Sequence, residues 1–342
     1  MISQTDGTTD VLTGEFDRVS SDPRDVIPSA DVVLVVAPVF VYDEVVENTV
    51  RYLSRDKDVY YGFLYGQGGI NWKLNSAFQR YNLPNAHFWS FGLIPWISRV
   101  KKYGESGVNY GAKHRNVVFA SSDKCYEVLS KGFFKELTEN YFGFGCVHRA
   151  ERFVELTLSV DNQIIHPSRC YGLSRSSPAG WNVASDVPMF YRDFDETSAD
   201  TLIGLDGEFE LVREEVRKAI PMCELRYMQS YLDLERFSYD SESGDVRSSF
   251  TESGTLSNIG TPVREFDCKF VLDARHRFFW DDTFYGLDIM QDFAQRFGIS
   301  TPLTSDISRW CREQMASQGL DYSHMAARVE YRKLLSTAQL LE

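Results

Sequence analysis

The sequence lacks the cysteine patterns that stabilise small secreted proteins or bind zinc. Its six cysteines stand far apart and form no C-x-x-C pair, at positions 125, 146, 170, 223, 268 and 311. No cluster of histidine and cysteine has the spacing of a zinc site. We therefore interpret the cysteines as reduced thiols, expect no bound metal, and predict a cytoplasmic location.

The sequence also lacks a long apolar run and a surplus of basic residues. No apolar segment is long enough to span a bilayer, and the N-terminus shows no basic stretch followed by an apolar one. With 36 basic and 49 acidic residues, the chain carries a formal net charge of −13. Nucleic acid and anionic membrane bind to positive fields, so both are disfavoured as partners. Small molecules are the expected partners of this protein, which we expect to be soluble.

The chain does contain enough apolar sequence for two domains, since 43% of its 342 residues are hydrophobic. In its first part, predicted strands alternate with predicted helices. A β-branched run predicts a buried strand at 31–37, and a second strand ends in the glycines of 66–69. Helical spacing of apolar residues predicts helices at 39–53, 70–80 and 123–141. This alternation is typical of a parallel sheet covered by helices, so residues 1–145 are predicted to form an α/β domain.

The remaining residues, 146–342, carry a different pattern and are predicted to be mainly helical. Apolar residues recur at three- and four-residue spacing through 198–220, 282–297 and 306–318. Between these stretches, 238–262 is rich in serine, glycine and acidic residues and holds few large apolar ones. This composition predicts a mobile loop.

An α/β domain joined to a helical one suggests a dinucleotide-dependent dehydrogenase. The phosphate-binding sequence G-x-G-x-x-G of such enzymes is nevertheless absent from the start of the chain. The stretch "GQGG", Gly66 to Gly69, does not replace it, because it follows a later strand and lacks the third glycine. It fits either a turn that needs positive φ or a ligand-binding loop at the carboxyl end of a strand, and the sequence leaves both open.

Three side chains with defined chemical roles stand out in the second part. His166 precedes Pro167 in "NQIIHPSRCYG", and Arg277 lies five residues before Asp282 in "HRFFWDDTFYGL". Taken singly, His166 fits an ordinary core histidine, and the charged pair fits a solvated helix start with Asp282 as its cap. Taken together, they form a set: histidine transfers protons near neutral pH, an acid orients its ring, and arginine binds a carboxylate through two hydrogen bonds. Such a trio suits reduction of a carbonyl or imine beside a carboxylate.

Six blocks of the sequence, in order from about Val19 to Met315, read "ADVVLVVAPVFVYDEVV", "GQGG", "IPWISRVKKYG", "NQIIHPSRCYG", "PMFYRDFDETSADTLIGLDGE" and "HRFFWDDTFYGL". In these blocks the chain resembles the opine dehydrogenases. The resemblance implies a Rossmann-like NAD(P)-binding domain over 1–145 and a helical opine dehydrogenase domain over 146–342, with substrates in the cleft between them. It implies NAD or NADP as the cofactor. The implied reaction is the reductive condensation of an amino acid with an α-keto acid, usually pyruvate.

The resemblance also assigns roles to individual residues. It places the catalytic histidine on His166, its partner aspartate on Asp282 and the carboxylate-binding arginine on Arg277. Gln67 and Trp72 resemble the family's substrate-side loop, although ordinary loop packing explains them equally well. If Asp282 is buried beside His166, we expect it to raise the pKa of the histidine by favouring the charged ring.

The front of the chain departs from the family's pattern. Members of the family begin with a strand, a glycine-rich turn and a helix, and a unit of roughly 30 residues or more has no counterpart here. We therefore expect an incomplete N-terminal domain, with cofactor-binding residues that the sequence does not identify and weak binding of NADH by the chain as given. The strand at 31–37 should then form an unpaired sheet edge.

Three functions remain open from the sequence. The first is an opine dehydrogenase, which requires both an amino acid and a keto acid. The second is a dehydrogenase for a 2-keto or 2-hydroxy acid, which would turn over pyruvate-like acids without an amine. The third is a catalytically impaired remnant or binding protein of the same fold. The absent glycine-rich turn favours the third function, and the presence of His166, Arg277 and Asp282 disfavours it.

Overall fold

A computed structural model describes residues 2–3, 10–11, 13–141, 143–254 and 256–342. The chain divides into two compact units. The N-terminal unit comprises Met1–Thr157, Leu225–Tyr227 and Phe237–Asp240, and the C-terminal unit comprises Leu158–Glu224, Met228–Arg236 and Ser241–Glu342. The domain boundary expected between residues 145 and 146 stays a prediction, because compactness alone does not define a domain.

The strands, numbered in chain order, are β1 (Ile2–Ser3), β2 (Asp10–Val11), β3 (Val32–Val35), β4 (Val59–Phe63), β5 (Ala86–Phe91), β6 (Trp96–Lys102), β7 (Ser106–Ala112), β8 (Arg115–Ala120), β9 (Cys146–Arg149), β10 (Val263–Phe266) and β11 (Lys269–Leu272). The α-helices are α1 (Tyr42–Thr49), α2 (Ile70–Arg80), α3 (Asp123–Lys131), α4 (Phe133–Asn140), α5 (Phe153–Leu158), α6 (Asn162–Ser176), α7 (Glu196–Ala219), α8 (Tyr231–Tyr239), α9 (Val246–Thr251), α10 (Arg277–Asp282), α11 (Asp288–Phe297), α12 (Pro302–Ser317), α13 (Ser323–Val329) and α14 (Thr337–Leu340). A π-helix spans Thr283–Leu287, and 3-10 helices span Pro23–Asp25, Ile27–Ser29, Val39–Val41, Val50–Tyr52, Ala184–Asp186 and Glu330–Leu334.

The main sheet of the N-terminal unit has the strand order β3-β4-β5-β8-β9. The pairs β3–β4, β4–β5 and β8–β9 are parallel, so the predicted α/β architecture is confirmed. The pair β5–β8 is antiparallel, which corrects the expectation of a wholly parallel sheet. Between β5 and β8 the chain forms a hairpin instead of a crossover helix, and only an antiparallel partner can be reached without such a crossover. Within the described residues, β3 lies at the edge of this sheet, as expected.

The hairpin itself consists of β6 and β7 and was missed by the sequence analysis. It belongs to a second sheet, of order β2-β1-β7-β6. Its turn contains Gly104 at a φ of 71°, a conformation that glycine adopts without steric cost. The exposed face of β6 leaves its segment without the apolar run that marks a buried strand.

Two helix predictions need correction. The helix expected at 123–141 is broken at Gly132, which ends α3 and precedes α4 with a φ of −114° and a ψ of −95°. The loop expected at 238–262 contains α9, because Asp245 caps its N-terminus and Val246 and Phe250 are buried one turn apart. The remaining helices of the C-terminal unit confirm its predicted helical character. Among the described residues, no helix is both long enough and apolar enough to cross a membrane.

Helices α6 and α7 form the close-packed centre of the C-terminal unit. Asp195 caps α7 by accepting a hydrogen bond from the backbone nitrogen of Ser198 at 2.7 Å. Where the helices approach, a Cβ atom on Gly172 would lie 2.2 Å from Oγ of Ser198 and 2.9 Å from its Cα. Only glycine at position 172 allows this approach, which holds the residues on α6 at a fixed distance from the start of α7.

We expect Gly172→Ala to destabilise the C-terminal unit by about 1–3 kcal/mol, because the added methyl overpacks the contact between the two helices. Gly207→Ala is the matched control on α7, since a Cβ there would meet nothing within 4 Å. That variant should be more stable than wild type by about 0.5–1 kcal/mol, from helix propensity alone. Urea denaturation of the three proteins measures both effects, and equal stabilities for Gly172→Ala and Gly207→Ala would contradict the packing argument.

Candidate active site

His166 lies in the interior of α6. The helix begins after Asp161, whose side chain accepts a hydrogen bond from the backbone nitrogen of Asn162. Pro167 lies inside the helix and has no N–H, so the regular bond to the carbonyl of Gln163 cannot form. The helix is nevertheless continuous to residue 176, with His166 only 3% exposed.

The π-helix Thr283–Leu287 brings Asp282 to this histidine. A Cβ atom on Gly286 would lie 2.6 Å from Cγ of Gln163, so glycine permits the π-helix to approach α6 closely. Arg332 is buried and donates a hydrogen bond at 2.8 Å to the carbonyl of Phe284 within the π-helix. π-Helices are rare and occur often at functional sites.

His166 and Asp282 form a buried hydrogen-bonded pair. Nδ1 of the histidine lies 2.8 Å from a carboxylate oxygen of Asp282, and the two side chains are 4% and 7% exposed. The ring of Phe278 stacks on the imidazole with a centroid distance of 3.6 Å. Asp282 is buried and makes no cap to the following helix, so the solvated helix start is excluded for this residue. His166 is buried with both ring nitrogens hydrogen-bonded, which is also the geometry of a core histidine with a satisfied ring.

The electrostatics of this pair correct one expectation. Burial, followed by the nearby positive charge of Arg277, lowers the pKa of His166 well below its usual value. Burial also raises the pKa of Asp282 well above its usual value, and Arg277 partly opposes this rise. We expected Asp282 to raise the pKa of His166, but desolvation outweighs the attraction because it disfavours the charged form of both groups. Both shifts favour the neutral form of the group concerned, so the pair favours a state without separated charges.

Arg277 is the first residue of α10, and its side chain is exposed. It makes no hydrogen bond and no ion pair with the residues that the structure describes, although its charge acts on both His166 and Asp282. The preceding residue, His276, caps α10, and burial together with His166 and Arg277 lowers its pKa to about 4. A neutral His276 leaves Arg277 as the cation of this corner, with its donors open to an anionic ligand.

Tyr191 is a member of the site that the sequence analysis missed. Its hydroxyl lies 3.1 Å from Nε2 of His166, and the side chain is 7% exposed. The signal was present in the block "PMFYRDFDETSADTLIGLDGE", but nothing in its spacing connects Tyr191 to a histidine 25 residues earlier. The contact depends on how the segment between α6 and α7 folds back.

Arg169 holds that segment in place and was also missed. Its fully buried guanidinium donates to the carbonyl oxygens of Met189, Phe190 and Asp193 at 3.1, 2.8 and 2.8 Å. It also donates to the carboxylate of Asp195 at 3.1 Å. Because Arg169 follows His166 by three residues on α6, both side chains project from the same face of the helix.

Gln67 and Trp72 belong to the N-terminal unit. The amide nitrogen of Gln67 donates to the carbonyls of Gly92 at 3.1 Å and Leu156 at 2.6 Å, and Trp72 is 6% exposed on α2. Gly68 and Gly69 have φ angles of 74° and 72°, so the turn interpretation of "GQGG" is confirmed. The substrate-binding roles of Gln67 and Trp72 stay predictions. Among the described residues, no group of three or more histidine, cysteine or acidic residues could hold a metal ion.

Comparison with known proteins relates the helical part of the chain to a known family. Residues 149–315 match the family model described as NAD/NADP octopine/nopaline dehydrogenase, alpha-helical domain. Over these residues, nearly half of the chain, the protein is similar to the helical domain of the opine dehydrogenases. The octopine dehydrogenase of Mizuhopecten yessoensis is 24% identical to this chain over 324 residues. The aligned part covers 92% of this chain and 77% of that protein.

Solved structures show the same fold. An octopine dehydrogenase in complex with NADH and L-arginine superposes with a TM-score of 0.76 at 20% identity, over 92% of this chain and 77% of that one. A complex of octopine dehydrogenase with NADH and pyruvate gives a TM-score of 0.74 at 20% identity, over 92% and 76% of the two chains. The opine dehydrogenase fold, an α/β domain followed by a helical domain, is thereby established for this protein.

The depressed pKa of His166 predicts a specific pH dependence of stability. The unfolded chain takes up a proton at this histidine below a pH of about 6.5, and the folded chain does not, so stability is lost as the pH falls through that value. Between pH values of about 7.5 and 5.5, wild type should lose about 1 kcal/mol of unfolding free energy relative to His166→Gln. Asp282 contributes with the opposite sign but is present in both proteins. Urea denaturation at the two pH values measures the difference, and parallel pH profiles would show that His166 is not buried in its neutral form.

Proposed function

We propose that this protein is an NAD(P)H-dependent opine dehydrogenase, which condenses the amine of an amino acid with an α-keto acid such as pyruvate and reduces the product. The observation that supports this most is the buried pair of His166 and Asp282 with the exposed Arg277 beside it. The match of residues 149–315 to the octopine/nopaline dehydrogenase model supports the same reaction class. Solved octopine dehydrogenases bind NADH, L-arginine and pyruvate, which are the cofactor and substrate classes that we propose here.

The proposed mechanism assigns a separate task to each of the three residues. Arg277 binds the carboxylate of the keto acid through its planar guanidinium, which orients the neighbouring carbonyl. The pair of His166 and Asp282 supplies the proton that the substrate nitrogen or oxygen needs during reduction, and takes it back in the reverse direction. The Phe278 ring stacked on the imidazole keeps water away and fixes the ring orientation. The reduced nicotinamide supplies the hydride when it is bound.

The N-terminal unit fits a nucleotide cofactor in part. Its parallel strands β3, β4 and β5 end at one edge, and open α/β sheets bind ligands at that edge. The "GQGG" turn follows β4 there, with two glycines at positive φ. No G-x-G-x-x-G occurs in the sequence for the pyrophosphate. The strand ends and the turn support NAD or NADP as the cofactor, and we assign no individual residue to its binding.

Oxidation of the reduced cofactor tests the proposal directly. Purified protein is incubated with NADH or NADPH, pyruvate and each of the amino acids in turn, and the absorbance of the reduced cofactor is followed. We expect oxidation that requires both pyruvate and an amino acid, with a secondary amine as the product by mass spectrometry. Equal oxidation without any amino acid would favour a keto acid dehydrogenase instead. Absence of oxidation with every pair would favour a remnant or binding protein.

Arg277→Lys should mainly weaken the use of the keto acid. A lysine ammonium retains the charge but cannot form the two parallel hydrogen bonds of a guanidinium, so we expect KM for the keto acid to rise about tenfold with a smaller change in kcat. Arg275→Lys is the matched control, since Arg275 is exposed nearby but pairs with Asp273 at 2.8 Å. Steady-state kinetics over keto acid concentration measures both variants. An unchanged KM in Arg277→Lys would remove this residue from the substrate site.

A further inference from the structure

Within the described residues, hydrogen bonds occupy both ring nitrogens of His166. Nδ1 faces Asp282 at 2.8 Å, and Nε2 faces the hydroxyl of Tyr191 at 3.1 Å. The imidazole is 3% exposed, with Phe278 stacked on one face and Phe190 at its edge. In this arrangement the ring cannot give a proton to a substrate directly unless the bond to Tyr191 breaks first.

Tyr191 is held so that this bond persists. Arg169 donates to the carbonyl oxygens on both sides of it, those of Phe190 and Asp193, at 2.8 Å each. The phenol ring packs on Phe190 at a centroid distance of 4.9 Å and on Phe250 at 5.6 Å. A guanidinium with no exposed surface and several charge-assisted hydrogen bonds is a strong constraint on the segment it binds. Movement of the phenol away from His166 would disturb its packing on Phe190 and Phe250, and movement of its backbone would break the bonds to Arg169.

We propose that Tyr191 is the catalytic residue that gives the proton to the substrate, with His166 and Asp282 behind it as a proton relay, and that Arg169 is the positioning residue for Tyr191. The proposal rests on the proposed function, because it assigns the final proton transfer of that reaction. A tyrosine hydroxyl suits the task because it donates one hydrogen bond while its oxygen accepts another.

The relay moves each proton by one place. As the hydride from the reduced nicotinamide adds to the carbon of the C=N or C=O group, the π electrons of that bond pass to its nitrogen or oxygen. The Tyr191 hydroxyl gives its proton to that atom, and the phenol oxygen takes the proton from Nε2 of His166. Nδ1 then takes the proton that it shares with Asp282. One hydride and one proton have reached the substrate, the cofactor is oxidised, and the negative charge remains on Asp282 until solvent supplies a proton.

The electrostatics support this direction of transfer. The pKa of Asp282 is raised well above its usual value by burial, so its carboxyl group can hold the proton at the start. The charge of Arg277 opposes that rise, which stabilises the carboxylate formed at the end. The pKa of His166 is lowered by burial, so the imidazole passes a proton on rather than storing it.

The test compares Tyr191→Phe with Tyr231→Phe in the intact protein. Both variants lose one buried phenol hydroxyl of the C-terminal unit, since Tyr231 is 1% exposed and its hydroxyl lies 2.9 Å from that of Ser249. We expect Tyr191→Phe to lower kcat for pyruvate and an amino acid at least a hundredfold while KM for pyruvate stays within about threefold, because a general acid typically contributes 10²–10⁴. Tyr231→Phe should retain wild-type kcat.

A second variant keeps the shape of the side chain. Replacement of Tyr191 by 3-fluorotyrosine leaves a hydroxyl that is more acidic, so the alkaline limb of the kcat profile should move to lower pH. The same replacement at Tyr231 should leave the profile unchanged. Arg169→Lys should lower kcat with little change in KM, and the alkaline limb should stay at its wild-type pH because the phenol itself is unaltered.

The outcomes separate the relay from the proposed function. Wild-type kcat in Tyr191→Phe, or an improved KM for pyruvate, would show that substrate displaces the phenol and that His166 donates directly, which overturns the relay alone. An unmoved pH profile with 3-fluorotyrosine at position 191 would overturn it as well. No turnover in the wild-type protein with any amino acid would overturn the proposed function and the relay together.

Discussion

The burial of two ionisable side chains against each other is the constraint on which the rest of the C-terminal unit depends. An unpaired carboxylate or imidazolium in such surroundings would cost several kcal/mol, so the two groups are stable there as a hydrogen-bonded pair that favours its uncharged state. Their hydrogen bond of 2.8 Å meets this requirement. Because the favoured state carries no separated charges, a proton can move along this hydrogen bond between the two side chains.

The fold supplies this pairing through unusual local structure on both sides. On α6, Pro167 follows the histidine inside the helix, and Gly172 lets α7 approach one and a half turns later. Opposite, a π-helix follows Asp282, and Gly286 lets it pack on α6. Each of these features is unfavourable in an isolated helix. Unfavourable local features of this kind are typical of functional sites, where the required side-chain geometry outweighs the preferences of the backbone.

The sequence predicted much of the fold where local pattern decides it. The helix expected at 70–80 coincides with α2, and the strand expected at 31–37 contains β3. The hairpin of β6 and β7 was not predicted, because the exposed strand β6 shows no buried apolar run. The helix break at Gly132 was not predicted, because a single glycine is tolerated in many helices.

The candidate site could be predicted only as far as its residue types carry chemistry by themselves. His166, Arg277 and Asp282 were named from their roles and from the resemblance to a family, and the structure brings His166 and Asp282 into contact. Tyr191 and Arg169 were missed, because a phenol and a buried guanidinium have no sequence signature apart from the fold that brings them together. The net pKa shift of His166 was also predicted in the wrong direction, since the extent of desolvation depends on packing by Phe278 and Phe190.

The coupling between His166 and Asp282 tests the account most directly. A double-mutant cycle compares kcat for wild type, His166→Asn, Asp282→Asn and the double variant in the reaction of pyruvate with an amino acid. If the two side chains act as one proton-transferring unit, each single change should lower kcat by about two to four orders of magnitude, and the double variant should lose far less than the sum of the single losses. Losses that add to within about 0.5 kcal/mol would show that the two residues act independently and would contradict the account.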